Sequence, residues 1–396
     1  MHRWGLALAA CLLYAFPVAA QSGSGDLDAQ LETLVATTER LRELSTQEPV
    51  ERRFPTREDT IAYLTRLYDA DMDDETLARN EAFYRALGMI PEDASLRDTF
   101  LLLLGSQVGG FYDSAVQTMN VLPMLSDDVG SDLTFSEQII FVHEYTHALQ
   151  DQYFGLDLLE SEIVASSPDR ALAALSLVEG DATTTMNLFS QEQMLQNPGL
   201  ALSLLAENAL AGTLILPPGV PPGLARELIF PYDAGFGFVL TLLQEGGWDA
   251  VNAAYDNLPV TSEQILHPEK YADGEVGLEV EPPSFGETLG EGWSLVWEGT
   301  LGEFYVRELL RNHLLTASEA QRAAAGWGGD AFEVWQQDET GALAWALNIV
   351  WDTPADQEEF EASLIGALDG VFGERGGRFY RVSPFGLISA PAGVLD

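Results

Sequence analysis

The sequence predicts an α+β protein that is mainly helical, carries one small β-hairpin and ends in a C-terminal α+β lobe. Three observations lead there. Apolar residues recur at helical spacing through most of the first 195 positions, with capping residues ahead of several of the runs. The period shortens to two around Val108-Gly-Gly-Phe-Tyr112 and Gln117-Thr-Met-Asn-Val-Leu122, which read as two strands joined by a turn. Beyond residue 331, strand-like runs bracket one further helix.

In chain order, residues 1–20 read as a secretory signal: His2 and Arg3 precede an apolar run, and Val18-Ala19-Ala20 offers a small-residue cleavage site. A signal anchor is the other reading, and no later stretch has the length and apolarity of a membrane span. Residues 21–94 form a helical scaffold after a short polar linker. Its first helix carries Leu27, Leu31, Leu34, Leu41 and Leu44. A second is capped by Thr56, and a third runs from about Asp74 to Leu87 and stops at Gly88. Residues 95–270 form the central unit. It opens with a helix from Ser95 to Leu104, ended by Gly105, and continues with the hairpin. Gly109 and Gly110 leave room there for close backbone approach.

Residues 136–154 are the stretch around which the rest is organised. Ile139, Ile140, Val142, Tyr145 and Leu149 make this a buried helix, with Ser136 expected as its N-cap. It contains His143-Glu144-Tyr-Thr-His147. Residues four apart share a helix face, so two imidazoles can hold one metal ion while Glu144 takes a proton from water. Two core histidines bonded to backbone are the plainer reading. The next helix opens at Ser167-Pro168 and holds Glu179 among Leu175, Leu177, Val178, Ala182 and Met186. A carboxylate on such a face is rarely buried without a partner, and a metal ion would supply one. Gly180 would let this helix approach the metal helix. Asp181 or Thr183 would orient a ligand histidine through a hydrogen bond.

H-E-x-x-H on one helix and a glutamate on the next, after a strand pair, resembles the gluzincin clan of zinc metallopeptidases, the thermolysin-like enzymes. His143-Glu144-Tyr-Thr-His147-Ala-Leu-Gln-Asp-Gln and Glu179-Gly-Asp-Ala are also similar to bacterial secreted or membrane-attached members of that clan. The resemblance covers roughly residues 100 to 195. It implies a zincin-like core, Zn2+ held by His143, His147 and Glu179, Glu144 as general base, and a peptide or protein substrate. The sequence departs from the thermolysin-like pattern in its longer ligand spacing and in lacking N-E-x-x-S-D around the third ligand. It also lacks the H-x-x-G-x-x-H extension of metzincins, which argues against a third histidine ligand.

Apolar helical residues beyond 195 lead into Leu216-Pro-Pro-Gly-Val-Pro-Pro-Gly223. A helix is expected to open at Pro231-Tyr232 and stop at Gly246-Gly247, with another over Trp248 to Tyr255. Thr261 caps a short helix ended by His267-Pro268. A donor must steady the oxyanion during peptide hydrolysis, and Tyr232 and His267 are the two candidates. His313, on the predicted helix Gly302 to Leu315, reads as a surface or core residue. Residues 271–396 form the C-terminal lobe, with strands at Ala331–Gln337 and Leu343–Trp351. A helix at Thr353–Leu368 and strands near Arg378–Val382 and Phe385–Ile388 follow. Gly326-Trp-Gly-Gly-Asp330 reads as a turn and lacks the spacing of a phosphate loop.

Composition narrows the chemistry. The only cysteine is Cys11, inside the predicted signal, which excludes disulfides, thiol catalysis and cysteine-ligated metal from the mature chain. Any metal must sit on histidine and carboxylate. With 46% apolar residues the chain can build a core unaided. A net charge of −43 repels nucleic acid and anionic membranes and would suit a salty medium or cationic substrates. The expected protein is a secreted or periplasmic enzyme with no stable membrane insertion after signal cleavage. The alternatives are a non-catalytic extracytoplasmic scaffold with a structural zinc site, or metal-assisted hydrolysis of another bond. Lys270 is the only lysine, a bias with no functional reading in the sequence.

Overall fold

Leu31, Leu34 and Thr38 bury one face of the first helix, α1 (Leu27–Arg42), as the leucine spacing requires. The computed structural model describes residues 26–123, 129–200, 217–383, 386–392 and 394. The signal sequence expected over residues 1–20 lies outside these residues, as do the apolar positions 201–216. Helices α2 (Arg57–Asp71), α3 (Asp74–Ala86) and α4 (Leu96–Gln107) follow, each started by a side-chain cap from Thr56, Asp73 or Ser95. Gly105 does not end α4. A glycine inside a helix costs only ~1 kcal/mol, and Leu103 and Leu104 before it and Val108 after it are buried.

The hairpin forms as β2 (Gly110–Asp113) and β3 (Thr118–Val121), antiparallel. A third strand, β1 (Glu51–Arg53), joins parallel to β3, giving the order β1–β3–β2 with β2 at an edge. Its Glu-Arg-Arg sequence carries no strand signal; only pairing with a distant segment makes it extended.

Three long helices make the centre: α5 (Phe135–Phe154), α6 (Pro168–Gln196) and α7 (Pro222–Asp256). The cap of α5 is Thr134, not the expected Ser136. Glu137 N–H donates to Thr134 Oγ1 while the Glu137 carboxylate accepts from Thr134 N–H at 2.7 Å, a reciprocal box that outcompetes a lone serine. Ser167 and Pro168 start α6 as expected. The start of α7 is Pro222, so Pro231 and Tyr232 lie inside the helix instead of opening it. Burial of Phe230, Pro231 and Phe238 outweighs the roughly 3 kcal/mol that an interior proline costs. Gly247 leaves helical geometry (φ 68°, ψ −166°), so the expected stop there survives as a kink. The short helices α8 (Ser262–Leu266) and α9 (Pro268–Ala272) meet at His267.

The C-terminal half is built on a six-stranded antiparallel sheet. After α10 (Gly286–Leu289) come β4 (Trp293–Gly299), α11 (Gly302–His313), α12 (Ala317–Ala324), β5 (Trp327–Gln337) and β6 (Leu343–Trp351). Then α13 (Pro354–Leu368), β7 (Phe372–Arg375), β8 (Arg378–Ser383) and β9 (Gly386–Pro391) complete the order β4–β5–β6–β9–β8–β7. Alternation along β6 sends Trp345, Leu347 and Ile349 into the main core and Ala344 and Ala346 toward Phe285 on the other face. The glycine-rich turn expected at 326–330 is instead the start of β5, with a register shift between Trp327 and Gly329. Asp330 accepts from the Leu301 and Gly302 amides and so caps α11.

One continuous buried cluster runs from Leu31 through Phe83, Phe141, Leu177, Val239 and Phe304 to Trp345 and Leu387. No helix among the described residues is long and apolar enough to cross a membrane.

Candidate metal centre

Helices α5 and α6 pack side by side and bring three donor atoms to one point. His143 Nε2 lies 3.0 Å from His147 Nε2, and Glu179 Oε2 lies 3.1 Å from the first and 3.5 Å from the second. All three residues are buried. A tetrahedral zinc site with bonds of ~2.0–2.1 Å places neighbouring donors about 3.3 Å apart, so this triangle fits one ion. The remaining oxygen of Glu179 has no hydrogen-bond partner among the described residues. An orphaned buried carboxylate oxygen is costly, and a cation at the triangle would satisfy it.

Burial pushes His143 below the usual imidazole range. Burial also opposes a charge on His147, but the Glu179 carboxylate outweighs it and holds that imidazole up at about 9, so a metal ion would have to displace a proton from its Nε2. Glu179 is penalised by burial too, yet the two histidines keep it well below the usual carboxylate range. Its carboxylate therefore stays ionised in a dry core, the state a metal ligand requires.

The tautomer of His147 is set by a residue that the sequence did not single out. Gln150 Nε2 donates to the Val178 carbonyl at 2.9 Å, so its Oε1 faces His147 Nδ1 at 2.7 Å as an acceptor. Nδ1 must carry the proton, which turns the lone pair of Nε2 toward the trio. The signal was present: Gln150 follows His147 by three residues on the same helix face.

Glu144 is fully buried on α5 and lies between His143 and His147 in the chain. The strand pair reaches it through Gly110: a Cβ there would stand 2.9 Å from Glu144 Cγ and 2.6 Å from Ile140 Cγ2. The space expected at this glycine thus seats edge strand β2 directly on the metal helix.

Gly180 does not meet the metal helix as expected. It crosses Gly235 of α7, where a Cβ on Gly180 would fall inside the Gly235 carbonyl and one on Gly235 inside the Ser176 carbonyl. That backbone contact brings Tyr232, one turn before Gly235, onto His143 with ring centroids 6.0 Å apart and planes 26° apart. Asp181 does not bond a histidine either. It is held by Arg42 Nε at 2.6 Å, Arg42 Nη2 at 3.0 Å and the Tyr255 hydroxyl at 2.8 Å. Thr183 Oγ1 has no hydrogen-bond partner among the described residues. Arg42 and Asp181 are both wholly buried, and the guanidinium stacks 4.3 Å over Trp248. Their pairing fixes α6 two residues beyond Glu179. Arg42→Ala leaves Asp181 as an uncompensated buried charge and is expected to cost about 3–5 kcal/mol of unfolding free energy. A urea titration reads this; a loss under 1 kcal/mol would mean that water reaches the pair.

His267 is directed elsewhere: Nε2 bonds Glu303 at 3.0 Å and Nδ1 lies 4.0 Å from Glu269, neither of them in the trio. Its imidazole is held up by the Glu303 hydrogen bond. His313 joins the core, with Nε2–H donating to the Ala86 carbonyl at 2.9 Å and Nδ1 accepting from the Tyr380 hydroxyl at 3.1 Å. A second acidic group, Glu263, Glu275 and Asp352, is filled by Lys270, whose ammonium bonds all three. The sole lysine is a structural clamp.

Residues 294–385 match the family model described as "Domain of unknown function (DUF8575)". The match begins within β4 and ends between β8 and β9, and it contains none of the trio, Glu144, Tyr232 or His267. No curated protein and no solved structure matches the chain.

Proposed function

We propose that the protein is a zinc-dependent metallopeptidase with a zincin-like core, exported to the cell envelope or beyond. The observation that carries this reading is the convergence of His143, His147 and Glu179, from two helices, at 3.0–3.5 Å. A purely structural zinc would be closed by a fourth side chain, whereas the donor group among the described residues has three members. The small-residue end of the N-terminal apolar run supports export.

His143 Nε2, His147 Nε2 and Glu179 would hold the ion. When bound, it supplies Lewis acidity, polarising the scissile carbonyl and lowering the pKa of water. Glu144 takes the proton of the attacking water on its carboxylate and returns it to the leaving amine. Gln150 keeps His147 in the binding tautomer. Tyr232, stacked on His143, is the donor best placed for the oxyanion, and no step is given to His267. Gly110 seats edge strand β2 against Glu144, so a peptide that added to that edge would run beside this carboxylate.

Metal analysis tests the reading. Purified protein is expected to hold one zinc per chain, lost in His143→Ala, His147→Ala and Glu179→Ala alike. A protein that stays metal-free in excess zinc sinks the proposal.

A further inference from the structure

The two helices that carry Glu179 and Tyr232 also line a cavity one turn back along each. Leu172 and Leu175 of α6, Leu228 of α7, Phe83 of α3 and Trp297 of β4 give it apolar walls. Glu179 follows Leu175 by four residues and Tyr232 follows Leu228 by four, so cavity and donor trio are successive stations along one helix pair. The cavity measures about 180 Å³. That is below the ~300–1,000 Å³ of a site for a drug-sized ligand, and it suits one long side chain.

Two carboxylates line the cavity, Asp71 at the end of α2 and Glu227 of α7, and Glu227 is the one on the same helix as Leu228. Glu227 of α7 accepts both of its hydrogen bonds on Oε1, from the Tyr84 hydroxyl at 2.9 Å and the Tyr305 hydroxyl at 2.7 Å. Its Oε2 has no donor among the described residues, and the residue keeps partial exposure. The adjacent cation in the chain does not neutralise it: Arg226 is held by Glu308 at 2.7 Å and Asn312 at 2.9 Å. Burial pushes Glu227 up to about 7, as befits a carboxylate without a counter-charge.

We propose that this cavity binds a long cationic side chain of the substrate, arginine or lysine, with the aliphatic stem against the leucines and the charged tip on Glu227 Oε2. The inference rests on the metallopeptidase reading above. An apolar side chain would seal Oε2 against hydrocarbon and forfeit its hydration. A cationic tip returns a charge-assisted hydrogen bond, and the stems of lysine and arginine pack well on apolar walls. The net charge of −43 concentrates cationic peptides around the molecule before any pocket is reached.

Two measurements on the full-length protein decide it. In the first, peptides of one fixed sequence carry arginine, lysine, citrulline or norleucine at each position in turn, and cleavage is followed by mass spectrometry. Wild type is expected to favour arginine and lysine over citrulline by about tenfold or more in kcat/KM at one position, and Glu227→Gln to lose that preference. In the second, binding of butylguanidine and of its neutral isostere butylurea is read by ligand-observed NMR. Butylguanidine is expected to bind wild type about tenfold tighter than butylurea, and the two to bind Glu227→Gln alike. Equal binding of both compounds to wild type overturns the proposal, as does a preference for norleucine or an arginine preference that survives Glu227→Gln. If no peptide is cleaved while butylguanidine still discriminates, the peptidase reading falls and the cationic pocket stands. Should Glu227→Gln not fold, the wild-type ratio of the two compounds decides alone.

Discussion

Glu144→Gln is expected to keep its metal ion and lose about 10²- to 10⁴-fold in kcat/KM on any peptide that the wild type cleaves. Glutamine fills the same volume, so the close fit of Gly110 against this side chain is preserved. What disappears is the ability to accept a proton from water and hand it on. The donor trio is untouched because Glu144 is not one of its members. Zinc content and kcat/KM measured on the same preparation separate the two roles. Full activity with glutamine at 144 would remove proton transfer from this residue, and loss of zinc would make it a ligand.

Gly235→Val is expected to be the most destabilising change on α7, by at least about 3 kcal/mol in urea, with zinc content falling as well. Its Cβ would lie within the Ser176 carbonyl, and backbone cannot rotate aside as a flexible side chain can. Forcing α6 and α7 apart moves Tyr232 off His143 and disturbs α6 one turn from Glu179. Gly237, two residues along the same helix, is the control, since nothing lies within 4 Å of the Cβ position there. Gly237→Ala is expected to be neutral or to stabilise by about 0.4–1 kcal/mol through the unfolded chain. Equal effects at both glycines would mean that the two helices do not meet backbone to backbone at Gly235.

The features legible in the sequence are those that local geometry determines. His143 and His147 are one helical turn apart, so their meeting follows from the helix alone. The caps at Thr56, Ser167 and Thr261 are likewise written within four residues. Glu179 was legible less directly, from the apolar neighbours that demand a partner for its charge. Asp181 was read as a histidine partner because its true counter-ion, Arg42, sits on a different helix far away in the chain. The partner of Gly180 was misread for the same reason, since no local pattern says which helix it will cross. Strand β1 is three charged residues, and β4 carries a register shift between Leu295 and Trp297 that breaks the alternation a reader looks for. Pro231 misplaced the start of α7 because local propensity was outweighed by burial.

The unbroken run of buried side chains from α1 to β9 has a further bearing on how the chain can be divided. Phe83 of α3 stacks on Trp297 of β4 with ring centroids 4.6 Å apart, and Phe230 of α7 packs at a tilt against Phe304 of α11 at 4.7 Å. Severing the polypeptide ahead of β4 would uncover aromatic faces on both fragments. The portion that carries His143, His147 and Glu179 is therefore not a detachable module, and neither is the stretch at 294–385: each supplies the other's missing wall.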